Sequence, residues 1–484
     1  MLFRFICNNL SMKIKYSFGK TKNFVGFYDI DNDVDVIEIN CDKYDKYSID
    51  GIQYCVNLLI FSCNNNNLET LEGIERCIQL KELYCQYNNI ITLEQLQNCK
   101  ELVKIDCGNN KIKTLNGLKY HTKLESLKCD HNEIVNLEGL DGCDNLHEIQ
   151  GIECKLTTLN GIEKCVNLET LIVSENVLKF IHIDGYCNNL KTLVCNRNNL
   201  ITVEGINKYS KLLYFDCRNN ELKSLEGLEK CVDLLGLYCD NNLLESLKGI
   251  EKCINLREIK CDHNLLESLK GIEKCINLQE LSCNYNLLET LEDLGDCMML
   301  EDLYCEKNRL KTLKGLENCK MLEYLYCEKN RLKTLKGIGG CVNLKKIDCS
   351  SNKLITLKGL ENCRKLYEIK CNKNMLQSLE GLEKCEGLYS ILCENNNLKS
   401  FKGLENITYL TRFEVDNNEN IKDEYDLFHE WNSMCDIPDK LLGYKKLYMY
   451  LSVYNMDKYY DKLHFADNEE VLINNNYENN LEVW

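Results

Sequence analysis

Proline is nearly missing from this 484-residue chain, which has one. Helix and strand backbones therefore run almost uninterrupted, with few positions barred from donating a hydrogen bond. Basic charge is in deficit, with 59 Lys and Arg against 75 Asp and Glu and a formal net charge of −16. That balance argues against nucleic acid or an anionic membrane as the main partner, because both require a basic footprint. A run of about 20 consecutive apolar residues, the length that crosses a bilayer, is absent as well. The apolar opening Met1–Cys7 gives way to Asn8 and Asn9, too short for a secretory apolar region, so the sequons at Asn9 and Asn406 read as chance. Catalytic motifs are lacking: there is no Cys-x-x-Cys, phosphate loop, nucleophile elbow or His-Glu-x-x-His. The seven histidines, at 121, 131, 147, 182, 263, 429 and 464, are scattered and none recurs with a carboxylate in a metal or catalytic spacing. No catalytic residue, cofactor or metal is expected, and the chain reads as non-enzymatic.

Cysteine is the opposite case, with 32 residues. In a small secreted chain that number would mean a disulfide scaffold. Here Cys returns every 22 residues at 41, 63, 85, 107 and 129, then from 195 to 393, and 29 of the 32 occupy two positions of the same repeat. Gly151, Val173 and Val415 keep the register where Cys is replaced. A fixed period of this length means a stack of like units rather than an assembly of different domains. Free Cys packs as a small hydrophobe. Side chains in a ladder do not converge as a tetrahedral metal site requires, and in-register strands rarely supply the dihedral of a disulfide. The thiols are read as reduced core residues, which with the missing signal places the chain in a reducing, cytoplasmic compartment.

One unit, residues 322–343, displays the logic. Leu325 and Cys327 alternate with Tyr324 and Tyr326, the period of a short strand with an inner and an outer face. Asn330 then turns the chain, and its amide is suited to bonding the backbone of adjacent coils. An Asn stands at this place in 16 of 18 units, Tyr44 and Cys154 being the exceptions. Gly stands ten residues after the Cys position in 14 of 17 units, which points to positive φ or close backbone approach. Leu335, Ile338, Cys341 and Leu344, three apart, suit a 3₁₀ or irregular return.

The pattern Leu322-x-x-Leu325-x-Cys327-x-x-Asn330-x-Leu332-x-x-Leu335-x-x-Ile338-x-x-Cys341-x-x-Leu344 resembles the leucine-rich repeat, in particular the 22-residue class of phosphatase-regulator and internalin-like proteins. The resemblance implies an α/β solenoid: a right-handed superhelix of about 18 coils with a concave parallel β-sheet and a convex side of 3₁₀ and irregular turns. Between 129 and 190 the pattern drifts, with Gly151, Val173 and Cys154 out of type and no Gly in Ile181–Asp184, so a local kink or irregular coil is expected there. Residues 1–35 are expected to form an N-terminal cap, a β-hairpin of Ile14–Phe18 and Phe24–Tyr28. The solenoid is assigned to 36–421, a helical C-terminal cap to 422–465 and a polar, loose tail to 466–484. Cys435 is read as a buried cap residue.

The outward strand positions from 63 to 415 carry 23 Asp or Glu and 15 Lys or Arg, an acid-leaning surface that is for the most part a solvated face. Tyrosines are the candidate anchors, since they join large contact area to a polar tip. Tyr304, Tyr324 and Tyr326 fall on adjacent strands with Tyr285 close by; Tyr367 and Tyr389 make a second pair, Tyr214 and Tyr238 a third. Duplication alone also explains them, because the stretch from Leu303 recurs from Leu325 and that from Leu243 recurs from Leu265. The expected function is a protein-interaction scaffold, binding an unknown protein or peptide on its concave face, with no nucleic acid or membrane partner and as a monomer. A regulatory subunit docking on an enzyme such as a protein phosphatase is the alternative by resemblance.

Overall fold

The computed structural model describes residues 12–16, 21–24, 36–182, 185, 187–404, 406–407 and 410–418. Within these, β1 (Met12–Tyr16) and β2 (Thr21–Phe24) pair antiparallel, and β1 also pairs antiparallel with β3 (Val36–Asn40). The chain's second strand thus ends at Phe24, where the sequence pattern had suggested it would begin. From β3 to β20 (Arg412–Glu414) all neighbours are parallel, so eighteen strands stack as one continuous sheet. The pairing advances by one repeat at each step, Leu303 to Leu325 to Ile347, so identical repeat positions lie side by side. The expected C-terminal helices, the tail and Cys435 lie outside the described residues.

Each strand after β3 is three residues long, with its middle residue buried and, in most coils, half-buried neighbours on either side. That burial is what the period-two alternation predicts. In one coil Leu325, Cys327, Leu332, Leu335, Ile338, Cys341 and Leu344 are all fully buried, and the same positions repeat along the stack as a single core. All thirty described cysteines are free and buried. Their thiols also donate to carbonyls of adjacent coils, as in Cys349 to Lys370 O at 3.4 Å and Cys341 to Leu316 O at 3.4 Å. On the convex side the three-apart spacing yields short 3₁₀ turns, among them Ile74–Arg76, Glu94–Asn98 and Leu228–Lys230. His121 fills a convex Cys position, fully buried, with Nδ1 2.7 Å from Leu118 O.

The Asn ladder holds consecutive coils together. Asn330 Nδ2 donates to Cys305 O in the preceding coil at 2.9 Å and to Cys327 O in its own at 3.1 Å. Its Oδ1 accepts the Leu310 N–H at 3.0 Å. The same set recurs at each ladder Asn from Asn88 to Asn418, with Asn66 differing only at the first coil. Beside the ladder lies a backbone feature that the sequence did not announce. Two residues after each Cys position the chain adopts left-handed φ, at residues as unlike as Tyr87, Arg197 and Lys329. Such a conformation costs a non-glycine residue about 1–2 kcal/mol. Asn330 Nδ2 reaches the carbonyls of Cys327 and Glu328, just before Lys329, and so clamps the bend.

The conserved spacing of glycine has a separate cause. Gly337 has φ +114°, and a Cβ there would lie 2.3 Å from Leu313 O of the preceding coil. At Gly337 the coils meet too closely for a side chain. The expected kink at 129–190 is absent from the strands. β8 (Glu148–Gln150) pairs in register with β7 (Ser126–Lys128) and β9 (Thr170–Ile172), which pairs with β10 (Thr192–Val194). Val173 is fully buried in place of Cys, and Gly151 keeps its backbone bond to Ile172 O, so the departures alter side chains without shifting the sheet.

Replacing Asn330 by Ala strands a buried carbonyl pair and an N–H, each worth about 1–3 kcal/mol when unsatisfied. Urea denaturation of Asn330→Ala is expected to show a loss of about 3 kcal/mol or more. Asn330→Asp should not rescue it, because it restores the acceptor but not the donor.

Candidate interaction face

The outward residues of the strands form one pleated wall, and the tyrosines sit on it in three arrangements. Tyr304 on β15 (Asp302–Tyr304) and Tyr326 on β16 (Tyr324–Tyr326) stack face to face, centroids 5.0 Å apart and planes 4° from parallel. Equivalent positions on paired strands force this: their backbones are one strand spacing apart. Tyr367 and Tyr389 stack in the same way at 5.4 Å and 8°. Burial, then the neighbouring Tyr324 side chain, pushes the Tyr367 hydroxyl up to about 12, so two groups the sequence had kept separate adjoin.

Tyr285 and the Tyr214–Tyr238 pair are placed differently. Tyr285 occupies the left-handed turn position, where its ring stacks on His263 at 4.0 Å and Lys307 lies over it at 3.9 Å. Its ring partners belong to the turn row rather than to the Tyr304–Tyr326 stack. Tyr214 and Tyr238 flank Gly236, whose missing side chain makes room for both: a Cβ there would meet Tyr214 at 3.0 Å and the Tyr238 hydroxyl at 3.1 Å. Tyr238 donates its hydroxyl to Glu258 at 2.6 Å.

Much of the charge on this wall is committed internally. Asp42, Asp130, Asp240 and Asp262 each accept the backbone N–H of the residue one repeat ahead, Asp262 from Asn284 at 2.7 Å. These acids act as side-chain caps between coils, which formal charge counting does not reveal. Lysines are paired across strands: Lys345 with Glu323 at 2.6 Å, Lys346 with Glu368 at 3.1 Å and Lys260 with Glu280 at 3.6 Å. Partly exposed pairs of this kind contribute about 0–1 kcal/mol each, so they shape the surface more than they stabilise it.

Two places keep excess acid. A groove of about 360 Å³ lies over strands β11 (Tyr214–Asp216) to β15, lined by Tyr214, Glu258, Glu280, Glu301 and Asp302 with Arg257. Burial, then the neighbouring carboxylates of Glu280, Glu301 and Glu323, push Asp302 above the ordinary carboxylate range. One coil further on, burial together with Asp348 and Glu306 raises Glu328 from 4.5 to about 7. Among the described residues no group of three or more His, Cys, Asp or Glu is placed to hold a metal ion. No described helix is long and apolar enough to cross a membrane.

Comparison with known proteins gives the class. The description "Leucine Rich repeats (2 copies)" matches residues 78–120. A leucine-rich-repeat protein of Leptospira interrogans superposes with TM-score 0.62 at 24% identity, over 81% of this chain and 98% of that one. The functional domain of InlJ from Listeria monocytogenes, described as including a cysteine ladder, superposes at 0.57 with 25% identity over 73% and 72%. TLR13 in its complex with ssRNA13 superposes at 0.58 with 15% identity over 80% and 79%. No curated protein matches the sequence. With its 22-residue period and parallel solenoid, the chain has the leucine-rich-repeat fold, and residues 78–120 match that family's model. Proteins of this fold are generally interaction scaffolds or receptors rather than enzymes.

The Glu328 environment carries a pH signature. The folded state keeps the proton between about pH 4.5 and 7, where the unfolded chain releases it, so this residue's contribution falls as pH rises through that window. Denaturation midpoints of wild type and Glu328→Gln are expected to converge near pH 4.5 and to separate toward pH 7, with the Gln variant the more stable.

Proposed function

We propose that this protein is a non-enzymatic scaffold that binds a protein or peptide along its concave strand face. The observation that carries the reading is the tyrosine wall, with Tyr304 stacked on Tyr326 and Tyr367 stacked on Tyr389. Aromatic side chains already fixed by their neighbours lose little rotamer freedom when a partner arrives, so more of the contact energy appears as affinity. Their setting beside the acidic groove supports a partner whose contact region is polar or basic, and argues against nucleic acid. The buried, carbonyl-bonded thiols support a reducing intracellular location. A monomer suffices, because the sheet face is complete within one chain.

The test is affinity capture from native cell extract with wild type and with Tyr304→Ala, Tyr324→Ala and Tyr326→Ala combined, matched for melting temperature. Loss of three anchors of this kind is expected to weaken capture of a specific protein at least about thirtyfold, equivalent to one interface hot spot of about 2 kcal/mol. Undiminished capture by the triple variant would remove the proposed anchor. Phosphatase activity co-purifying with the wild type alone would favour the regulatory-subunit reading.

A further inference from the structure

The repeat is broken at one coil, and its breaks converge on a single point. Position 151 should carry a ladder Cys and carries Gly; position 154 should carry a ladder Asn and carries Cys. The absent side chain at Gly151 opens the space between two sulfurs. A Cβ built there would lie 3.6 Å from Cys129 Sγ and 3.9 Å from Cys154 Sγ, so the two thiols bracket one point. Cys154 imitates half of the Asn it replaces, its Sγ standing 3.3 Å from Cys129 O. The other half is lost. Ile112 N–H and Leu156 N–H each donate to a ladder Asn Oδ1 at 2.9 Å, whereas Ile134, the equivalent residue between them, meets a thiol that carries no oxygen.

Access and ionisation distinguish Cys154 as well. It is 9% exposed, while every other described cysteine is at most 1% exposed. The nearby Cys129 side chain lowers the Cys154 thiol from its ordinary value, and the same interaction, with burial, pushes Cys129 well above it. Elsewhere burial raises the thiols, Cys143 for instance to about 11. The thiolate is the reactive form, so the lowered and partly exposed Cys154 is the favoured nucleophile, with a second sulfur at hand.

We infer that Cys129 and Cys154 form a selective oxidation site, closed to a disulfide by a hydroperoxide while the rest of the thiol ladder stays reduced. The Cys154 thiolate attacks one peroxide oxygen and breaks the O–O bond, giving a sulfenic acid; the hydroxide that leaves takes up a proton to become water. The Cys129 sulfur then attacks the sulfenic sulfur, displacing its hydroxyl as a second water, the Cys129 proton leaving with it. Two thiols lose two hydrogens and hydrogen peroxide becomes two waters, with the new S–S bond joining neighbouring coils. The ordinary ladder lacks this option, because its thiols are at most 1% exposed and burial raises them, as at Cys107 and Cys349.

The test is brief exposure of the reduced full-length protein to substoichiometric hydrogen peroxide, followed by acid quench, denaturation, alkylation and peptide mass mapping. The expected result is one dominant linked peptide pair, Cys129 to Cys154, with intact mass reduced by two hydrogens. Cys154→Asn removes the nucleophile while restoring the ladder amide, so it should fold at least as stably and consume peroxide at least about tenfold more slowly. Gly151→Ala places a methyl in ordinary contact between the sulfurs and should slow linkage without unfolding the chain. Linked pairs spread along the ladder, peroxide consumption unchanged in Cys154→Asn, or oxidation of Cys154 without a cross-link would each overturn the assignment.

Discussion

The structure depends on one side-chain amide used over and over. A ladder Asn donates to the carbonyl that ends its own strand and to the matching carbonyl one coil back, and it accepts an N–H from that coil. These groups are buried where the chain leaves the sheet, too far into the turn for strand pairing to satisfy them. Without the amide each coil would bury unpaired backbone groups at a cost of several kcal/mol. Because a single residue spans two coils, the distance between amides must equal the length of one coil. Insertion of even one residue would uncouple donor from acceptor, which is why the 22-residue register survives from 41 to 415.

That register determines what the outer face looks like. Residues at the same repeat position stand side by side, so a tyrosine copied by duplication stacks on its copy, as Tyr304 does on Tyr326. A Lys followed one repeat later by Glu becomes a cross-strand pair, as in Lys346 and Glu368. Duplication and stacking are thus the same fact seen in sequence and in space. The origin of the tyrosines by duplication does not oppose their use in binding; it is the route by which a flat aromatic surface arises. The acids of the wall divide by reach: Asp42, Asp130, Asp240 and Asp262, just past the Cys position, cap the next coil's backbone, while Glu280, Glu301 and Asp302 line the groove.

The core tolerates substitution at the Cys positions more readily than at the ladder or the Gly. Val173, Tyr209 and His121 all stand where Cys is usual and all are buried. Free cysteine packs as a small hydrophobe, and an interior built from Leu and Ile accepts similar groups with modest repacking. The coil with Gly151 and Cys154 is a different case. There a void, a thiol in place of an amide and an exposed edge coincide, so a substitution quiet for the fold changes local chemistry.

The period, the inner and outer faces, the Asn ladder and the solenoid itself could be read directly from residues 322–343 and their repeats. A single spacing repeated without insertion leaves little freedom for anything else. The left-handed bend at residues such as Tyr87 and Lys329 could not be read, because it falls at residues of every type and recurs at Lys43 and Glu153, where no Asn follows, so it belongs to the path of the coil. Nor could the approach of Tyr324 to Tyr367 across an intervening strand, or the use of particular Asp side chains as backbone caps. The proximity of Cys129 and Cys154 was equally hidden, since 25 residues is not the period of the chain. Sequence alone determined everything that follows from periodicity. Contacts between unlike repeat positions were decided only by the tertiary stack, because they depend on how far a side chain reaches across coils.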